Sequence, residues 1–99
     1  MAVSVIARIP SREVYESVNE SMFGSSKPQM IEGLIVHTAG EGPDGFCVVD
    51  VWESREAFDT FMNERVMPAV DELGIEPDES MAPQIIDVST ILVNEEARV

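Results

Sequence analysis

The chain has 99 residues, of which 44% are hydrophobic, and this length and composition predict one globular domain over residues 1–99. Nineteen acidic residues against six basic ones give a formal net charge of −13, which disfavours binding to nucleic acids and to membrane surfaces. One cysteine and one histidine exclude an intrachain disulfide and a His-rich metal site, and no apolar run has the length of a membrane span, so we expect a cytoplasmic protein without a metal.

Val and Ile side chains dominate residues 2–9 and predict a first strand. Ser11 is a suitable N-cap residue, and the apolar residues after it recur at helical spacing, which predicts a first helix over residues 12–24. Tyr15 is expected to pack with this helix, with its hydroxyl at the surface. Residues 25–29 are polar and contain a proline, so we expect a loop there.

A second strand is predicted over residues 30–39 and a third over residues 46–53. The residues between them, 40–45, contain three glycines, a proline and an aspartate, so the two strands should form a hairpin. The third strand is apolar on both faces and carries one acid, Asp50, and the only tryptophan, Trp52. Such a strand is expected in the middle of a sheet that is covered on both sides.

Ser54 should cap a second helix. Pro68 has no backbone N–H, so the helix should kink or restart near Met67. A loop rich in proline and acidic residues is predicted over residues 74–83. A fourth strand over residues 84–93 should then lead into a charged tail.

The order of elements, β-α-β-β-α-β, is that of the ferredoxin-like α+β fold, in which two helices cover one face of a four-stranded antiparallel sheet. Three of the strands carry large apolar residues on both faces. Since no third helix is predicted, a second copy of the chain is the simplest cover for the other face. We therefore expect a homodimer in which two sheets form a barrel-like core.

The cost of burying a charge predicts which face of each strand meets the helices. The small apolar residues Cys47, Val49 and Val51 suit packing against helices. Leu34 and Val36 do the same on the second strand. The opposite face is then expected to look into the dimer. It carries a set of polar and aromatic residues from all four strands: Arg8, His37, Asp50, Trp52 and Asp87.

An apolar cavity with a few convergent polar groups and an aromatic wall is typical of a small-molecule site. In such a site His37 is a candidate base, with Asp50 as a second catalytic residue. Trp52 could stack on a planar ligand, and Arg8 and Asp87 are the other candidate ligand-binding residues. The structural alternatives are a hydrogen-bonded His37, an Asp50 paired with Arg8 on the neighbouring strand, and a Trp52 packed in the core.

These residues resemble the dimeric α/β barrel superfamily, specifically its antibiotic-biosynthesis-monooxygenase-like (ABM-like) domains. The similarity lies in residues 33–37 (Gly-Leu-Ile-Val-His), residues 49–58 (Val-Asp-Val-Trp-Glu-Ser-Arg-Glu-Ala-Phe), Phe61 and residues 65–69 (Arg-Val-Met-Pro-Ala). Together with the order of elements, it covers nearly the whole chain.

The resemblance implies a homodimer with a ligand pocket. In its enzymatic members it implies cofactor-independent oxygenation of polycyclic aromatic substrates beside a tryptophan whose position Trp52 matches. Heme-degrading relatives use an asparagine on the first strand and a histidine on the second helix. This chain has neither, and Met62 lies near the second position, so we expect no cofactor. The expected function is that of a homodimeric barrel that binds a small molecule, with cofactor-independent monooxygenase activity on an aromatic or polyketide-like substrate, and the alternative is a non-enzymatic ligand-binding or structural dimer.

Overall fold

A computed structural model of the chain describes residues 1–24, 31–76 and 82–92. It contains four strands: β1 (Val3–Ile9), β2 (Leu34–Gly42), β3 (Gly45–Trp52) and β4 (Gln84–Asp87). The connections contain three helices and one π-helical turn: α1 (Arg12–Phe23), α2 (Arg55–Phe61), the π-helical turn (Met62–Val66) and α3 (Met67–Glu72). The last three run on without a break, so the chain alternates as β-α-β-β-α-β.

The four strands form one antiparallel sheet in the order β2-β3-β1-β4. The two central strands, β1 and β3, are the most apolar, as expected for strands with a neighbour on each side. The predicted ferredoxin-like α+β fold is confirmed.

Both helical segments begin where the sequence predicts. The Ser11 hydroxyl accepts a hydrogen bond from the Val14 N–H at 3.2 Å, and the Ser54 hydroxyl accepts one from the Ala57 N–H at 3.0 Å. The predicted restart near Met67 is also confirmed. The π-helical turn ends there and α3 begins, with Pro68, which has no N–H to donate, as its second residue.

Strands β2 and β4 differ from their predicted ranges. The chain turns at Gly33, which has a φ of +84°, so β2 begins at Leu34 instead of residue 30. It ends later than predicted, because Gly42 pairs with Gly45 and leaves a turn of only two residues. Strand β4 is four residues long and ends at Asp87, opposite the first residue of β1, Val3; beyond this pair the Val88 N–H still donates to the Ala2 oxygen at 2.9 Å. The predicted loop at residues 25–29 and the charged tail beyond residue 92 lie outside the described residues.

The predicted assignment of the sheet faces is wrong for β3, for His37 and for Asp87, whereas Arg8 lies on the face away from the helices as predicted. In the antiparallel register Trp52 lies opposite Val3 and Asp50 lies opposite Val5, and these residues face the helices. The Trp52 indole contacts the ring of Phe58 at 5.9 Å between centroids, within the buried core.

The residues predicted to meet the helices, Cys47, Val49 and Val51, therefore point to the other side of the sheet. Asp50 can be buried under the helices because its carboxylate has hydrogen-bond partners on the same face. These hydrogen bonds offset the free energy that is lost when the charge is desolvated.

A β-bulge in β2 accounts for a second difference. Leu34 lies opposite Trp52 and Val36 lies opposite Val51, so one extra residue, Ile35, is accommodated between them. Leu34 therefore faces the helices, as predicted, whereas Val36 does not. After the bulge His37 pairs with Asp50, which confirms that these two side chains share a face.

The side of the sheet away from the helices, here called the open sheet face, has no cover among the described residues. Val36, Val49 and Ile86 are large apolar residues that are exposed on it. The face consists of thirteen residues from the four strands: Ser4, Ile6, Arg8, Val36, Thr38, Gly40, Gly42, Gly45, Cys47, Val49, Val51, Gln84 and Ile86. Arg8 is its one charged member, although the chain as a whole carries a net charge of −13.

Within the described ranges, the helices are too short or too polar to cross a lipid bilayer.

Candidate functional site

Four side chains form a hydrogen-bonded network between the buried core and the edge of the sheet. The Trp52 Nε1–H donates to Asp50 Oδ2 at 3.3 Å. The other carboxylate oxygen, Asp50 Oδ1, lies 2.6 Å from His37 Nδ1. The second ring nitrogen, His37 Nε2, lies 2.6 Å from the hydroxyl of Tyr15. The network thus joins the only tryptophan, the only histidine and the only tyrosine of the chain through one carboxylate.

Sheet register and helix packing position these groups. His37 on β2 and Asp50 on β3 are directly opposed, so their side chains stand side by side on the face that the helices cover. Tyr15 comes from the first turns of α1 and reaches down to β2 and β3. Its ring lies edge to edge with the imidazole of His37 and nearly in the same plane, with 6.0 Å between centroids, and it packs on Phe46 at 5.1 Å.

The donors and acceptors in the network follow from Asp50. An ionised carboxylate only accepts hydrogen bonds, so Nδ1 of His37 carries a proton and donates it to Asp50. In neutral His37 the other nitrogen, Nε2, is then an acceptor, and the Tyr15 hydroxyl donates to it. One tautomer of the imidazole is thereby fixed.

The carboxylate also changes the basicity of the imidazole. Its hydrogen bond to Nδ1 raises the pKa of His37 above the ordinary value of 6.5, and its negative charge acts in the same direction. Partial burial of the imidazole acts in the opposite direction and is outweighed. His37 is therefore a stronger base than a histidine in water.

The network becomes more exposed from Asp50 to His37. The side chain of Asp50 is 11% exposed, whereas that of His37 is 38% exposed because β2 is an edge strand beyond the main cover of the helices. A molecule in solution can approach the His37–Tyr15 end of the network. The Trp52–Asp50 end is sealed in the core.

The structure brings together three of the five predicted site residues, His37, Asp50 and Trp52. Trp52 is only 1% exposed, so its ring faces are covered and its N–H is the part that takes part in the network. Stacking of Trp52 on a ligand stays a prediction.

The other two predicted site residues lie elsewhere. Arg8 is on the open sheet face, where its guanidinium is 3.7 Å from Asp44, so the predicted pairing with Asp50 is wrong. Asp87 does share the face of Asp50 but lies on β4, at the opposite edge of the sheet from His37. Neither residue contributes to the network. The prediction placed them there because sequence spacing alone does not show which edge or face of the sheet a strand residue occupies.

Tyr15 is the member of the network that the sequence did not reveal. Its hydroxyl was expected at the surface, with the ring in the helix packing. Only the ring is placed as expected, and the hydroxyl meets His37. The one available signal was that a tyrosine on the sheet-facing side of a helix tends to find a hydrogen-bond partner for its hydroxyl.

An open depression of about 350 Å³ lies beside the π-helical turn and α3. None of its lining residues belongs to the network: Asn63, Met67, Pro68, Val70, Asp71 and Ile75. Among the residues that the structure describes, no cluster of three or more His, Cys, Asp or Glu side chains could hold a metal ion.

No protein-family model and no curated protein sequence matches this chain. Solved structures do match it. Rv0793 from Mycobacterium tuberculosis is 16% identical, covers 98% of this chain and 100% of its own, and has a TM-score of 0.62. A candidate antibiotic biosynthesis monooxygenase from Deinococcus radiodurans is 11% identical, covers 95% and 98%, and has a TM-score of 0.59. SnoaB, a cofactor-independent oxygenase from Streptomyces nogalater, is 16% identical, covers 94% and 95%, and has a TM-score of 0.50.

These similarities extend over nearly the whole chain at low sequence identity, so they establish the fold of this chain and do not establish any reaction that it catalyses or any ligand that it binds. They agree with the resemblance read from residues 33–37 and 49–58. The chain thus shares the fold of these solved structures, a ferredoxin-like α+β sheet with its helices on one face.

Proposed function

We propose that the protein is a cofactor-independent monooxygenase that acts on a small aromatic or polyketide-like molecule, with His37 as the base. The observation that carries the proposal is the Asp50–His37 pair, joined by a 2.6 Å hydrogen bond, with Nδ1 buried toward the carboxylate and Nε2 toward the exposed edge. A base with a raised pKa next to solvent is suited to removing a proton near neutral pH.

The proposed reaction starts with a phenolic or enolic hydroxyl of the substrate. Transfer of its proton to His37 leaves an electron-rich anion, and the imidazolium that forms is stabilised by Asp50. The negative charge is shared with a ring carbon that carries one hydrogen, and the anion reduces O₂ directly at that carbon. One oxygen atom becomes a carbonyl on that carbon, and the other leaves as water, which takes up the hydrogen of that carbon and the proton held on His37. The electrons come from the substrate, so the reaction needs no cofactor.

The buried indole of Trp52 favours a second candidate function, a dimer that binds a ligand or serves a structural role without chemistry. In this case the network only satisfies the polar groups of the core. SnoaB shares the fold and is an oxygenase, which supports the first candidate at the level of analogy.

Replacing His37 with Ala tests the two functions. We expect oxygen consumption with anthrones and other hydroxylated polycyclic aromatics to fall by roughly 10²-fold or more, because general-base catalysis typically contributes that factor. Oxygen uptake is measured with an electrode, and the product by mass spectrometry for one added oxygen atom. Thr38→Ala is the matched control, since Thr38 is adjacent on β2 but faces away from the network. Equal turnover by wild type and His37→Ala would remove His37 as the base, and no oxygenation by the wild type with any of these compounds would favour the second function.

We also propose that two copies of the chain associate through the open sheet face. Its apolar residues, among them Val36, Val49 and Ile86, are exposed in one chain, and such a patch on a soluble protein usually marks an interface. The scarcity of charge on this face supports the same proposal. Two chains of net charge −13 can approach there without placing acids opposite each other.

Replacing Val49 with Asp tests this association. Val49 lies on the central strand β3, so two carboxylates would be buried near the middle of the interface, and we expect the dimer to dissociate at micromolar concentration. Sedimentation velocity measures the mass. Met67→Asp introduces the same charge at a residue of equal exposure (41%, against 40% for Val49) on α3, and should leave the dimer intact. A wild-type chain that sediments as a monomer would contradict the proposal.

A further inference from the structure

We propose that the Tyr15 hydroxyl is the catalytic group that touches the substrate, and that His37 receives the substrate's proton through it. This inference rests on the proposed function and adds a residue to its proton-transfer step. It follows from the positions of Tyr15, His37 and Asp50 relative to one another.

The acceptor of His37 is already occupied. With Nδ1–H donated to Asp50, neutral His37 has a single lone pair, in the plane of the ring on Nε2. The Tyr15 oxygen lies 2.6 Å from Nε2 and donates its proton to that lone pair. A substrate hydroxyl therefore cannot bind Nε2 unless Tyr15 moves away.

The Tyr15 oxygen, by contrast, has acceptor capacity left. A phenolic oxygen that donates one hydrogen bond can still accept another. The Tyr15–His37 hydrogen bond lies at the exposed end of the network, whereas the Trp52–Asp50 bond is buried. The Tyr15 hydroxyl is thus the first basic position that a substrate reaches.

The ring of Tyr15 is also held in place for this role. It packs on Phe46 of β3, and it lies nearly in the plane of the imidazole, with an angle of only 12° between the ring planes, so that its hydroxyl meets Nε2 in the plane of the lone pair. Its position does not depend on the hydroxyl alone, so a phenylalanine at this position should keep the packing and lose only the relay.

The step is a coupled transfer of two protons. The substrate hydroxyl gives its proton to Tyr15 Oη as the Tyr15 proton passes to His37 Nε2. The O–H bond of the substrate and that of Tyr15 break, and a new O–H bond on Tyr15 and an N–H bond on His37 form. Tyr15 ends neutral, the substrate becomes an anion, and the positive charge lies on the imidazolium beside Asp50.

The rate of oxygen uptake with anthrones tests the relay, because the substrate reacts with O₂ only after it has lost its proton. The rate is compared between wild type and Tyr15→Phe. We expect Tyr15→Phe to lower the rate by about 10²-fold, the contribution typical of a positioned proton carrier. Ser21→Ala removes a hydroxyl from the same helix, one that bonds only to the exposed Glu72 at 3.4 Å, and should change the rate by less than about twofold.

The outcomes separate this inference from the proposed function. If His37→Ala reacts slowly and Tyr15→Phe reacts as fast as wild type, the relay is wrong and His37 remains the base. If His37→Ala reacts as fast as wild type, both the relay and the proposed role of His37 as the base are wrong.

A second measurement needs no substitution. Since the chain has one histidine, long-range ¹⁵N–¹H spectra report on His37 alone. Above its pKa the relay requires a proton on Nδ1 and none on Nε2, and the opposite tautomer would overturn it.

Discussion

Replacing Trp52 with Ala is expected to lower the free energy of unfolding by about 3–5 kcal/mol, the range for removing a buried aromatic side chain. The indole is 1% exposed and contacts the rings of Phe58 and Phe61, so its loss leaves a cavity at the junction of β3 and α2. Domains of this size are stable by roughly 5–15 kcal/mol, and the variant should therefore be close to unfolding. Urea denaturation followed by circular dichroism at a fixed chain concentration measures the change.

Trp52→Phe separates the contribution of the indole hydrogen bond to the free energy of unfolding from that of its packing, and Leu92→Ala is the control. Trp52→Phe keeps most of the apolar volume but removes the N–H that bonds Asp50, so its cost should be the smaller part, about 1–3 kcal/mol. Leu92→Ala removes a large side chain that is 92% exposed and should change the stability by less than about 0.5 kcal/mol. A cost below about 1 kcal/mol for Trp52→Ala would mean that the indole lines a space able to collapse or fill, as expected of a ligand-stacking residue.

The fold could be predicted from local signals that tertiary contacts did not override. Ser11 and Ser54 begin helices because each places a hydroxyl where the first free N–H groups need an acceptor. Pro68 restarts the second helix for an equally local reason. The lengths of β2 and β4 were harder to predict, because the end of a strand depends on the strand with which it pairs, and β1, the partner of β4, is distant in sequence.

The two sheet faces could not be told apart from one sequence. Residues 46–52 are apolar on both sides, and the prediction depended on the view that Asp50 would be too costly beneath the helices. That cost depends on hydrogen-bond partners, and the partners come from β2 and from the indole two residues away. The bulge at Ile35, which brings His37 opposite Asp50, has no signature in composition or spacing.

The sequence therefore predicted which residues belong to the site better than it predicted their positions relative to one another. His37 and Asp50 share a face as predicted. Arg8 does not join them, because it lies opposite Cys47, three register positions from the Val5–Asp50 pair, and on the other face of the sheet. Tyr15 joins them from α1, through a contact between residues 22 positions apart in the chain. Contacts of this kind are fixed by how the helix packs on the sheet, which helical spacing alone does not determine.

Replacing Asp50 with Asn is expected to lower the rate of the proposed reaction by about 10²–10⁴-fold, the full contribution of a general base. The amide has one oxygen and one NH₂ group, whereas both Trp52 Nε1–H and His37 Nδ1–H need an acceptor. If the oxygen serves Trp52, the NH₂ group faces His37 and favours the opposite tautomer, in which Nε2 is a donor and no longer a base. If the oxygen serves His37, the indole N–H is left unpaired in the core.

The pKa of His37 should fall in Asp50→Asn. The two influences of Asp50 that raise it, first the hydrogen bond and then the charge, are both removed, and the desolvation that lowers it remains. We expect a value below 6.5, measured from the imidazole C–H signals of the only histidine by NMR. Asp59→Asn removes an equal charge from an exposed pair with Arg55 and should leave the pKa of His37 unchanged. An unchanged pKa in Asp50→Asn would show that the carboxylate does not control the imidazole.

The same shifts determine how stability varies with pH. In the wild type the folded-state pKa of His37 lies above its unfolded value, so protonation stabilises the fold below the unfolded pKa, and this contribution is lost as the pH rises through the folded pKa. In Asp50→Asn the folded pKa lies below the unfolded value, so protonation destabilises the fold. The stability difference between the two proteins should therefore be larger near about pH 5.5 than near about pH 8.5 in urea denaturation. A difference that stays constant over this range would mean that Asp50 supports the fold through packing alone, with no coupling to the charge of His37.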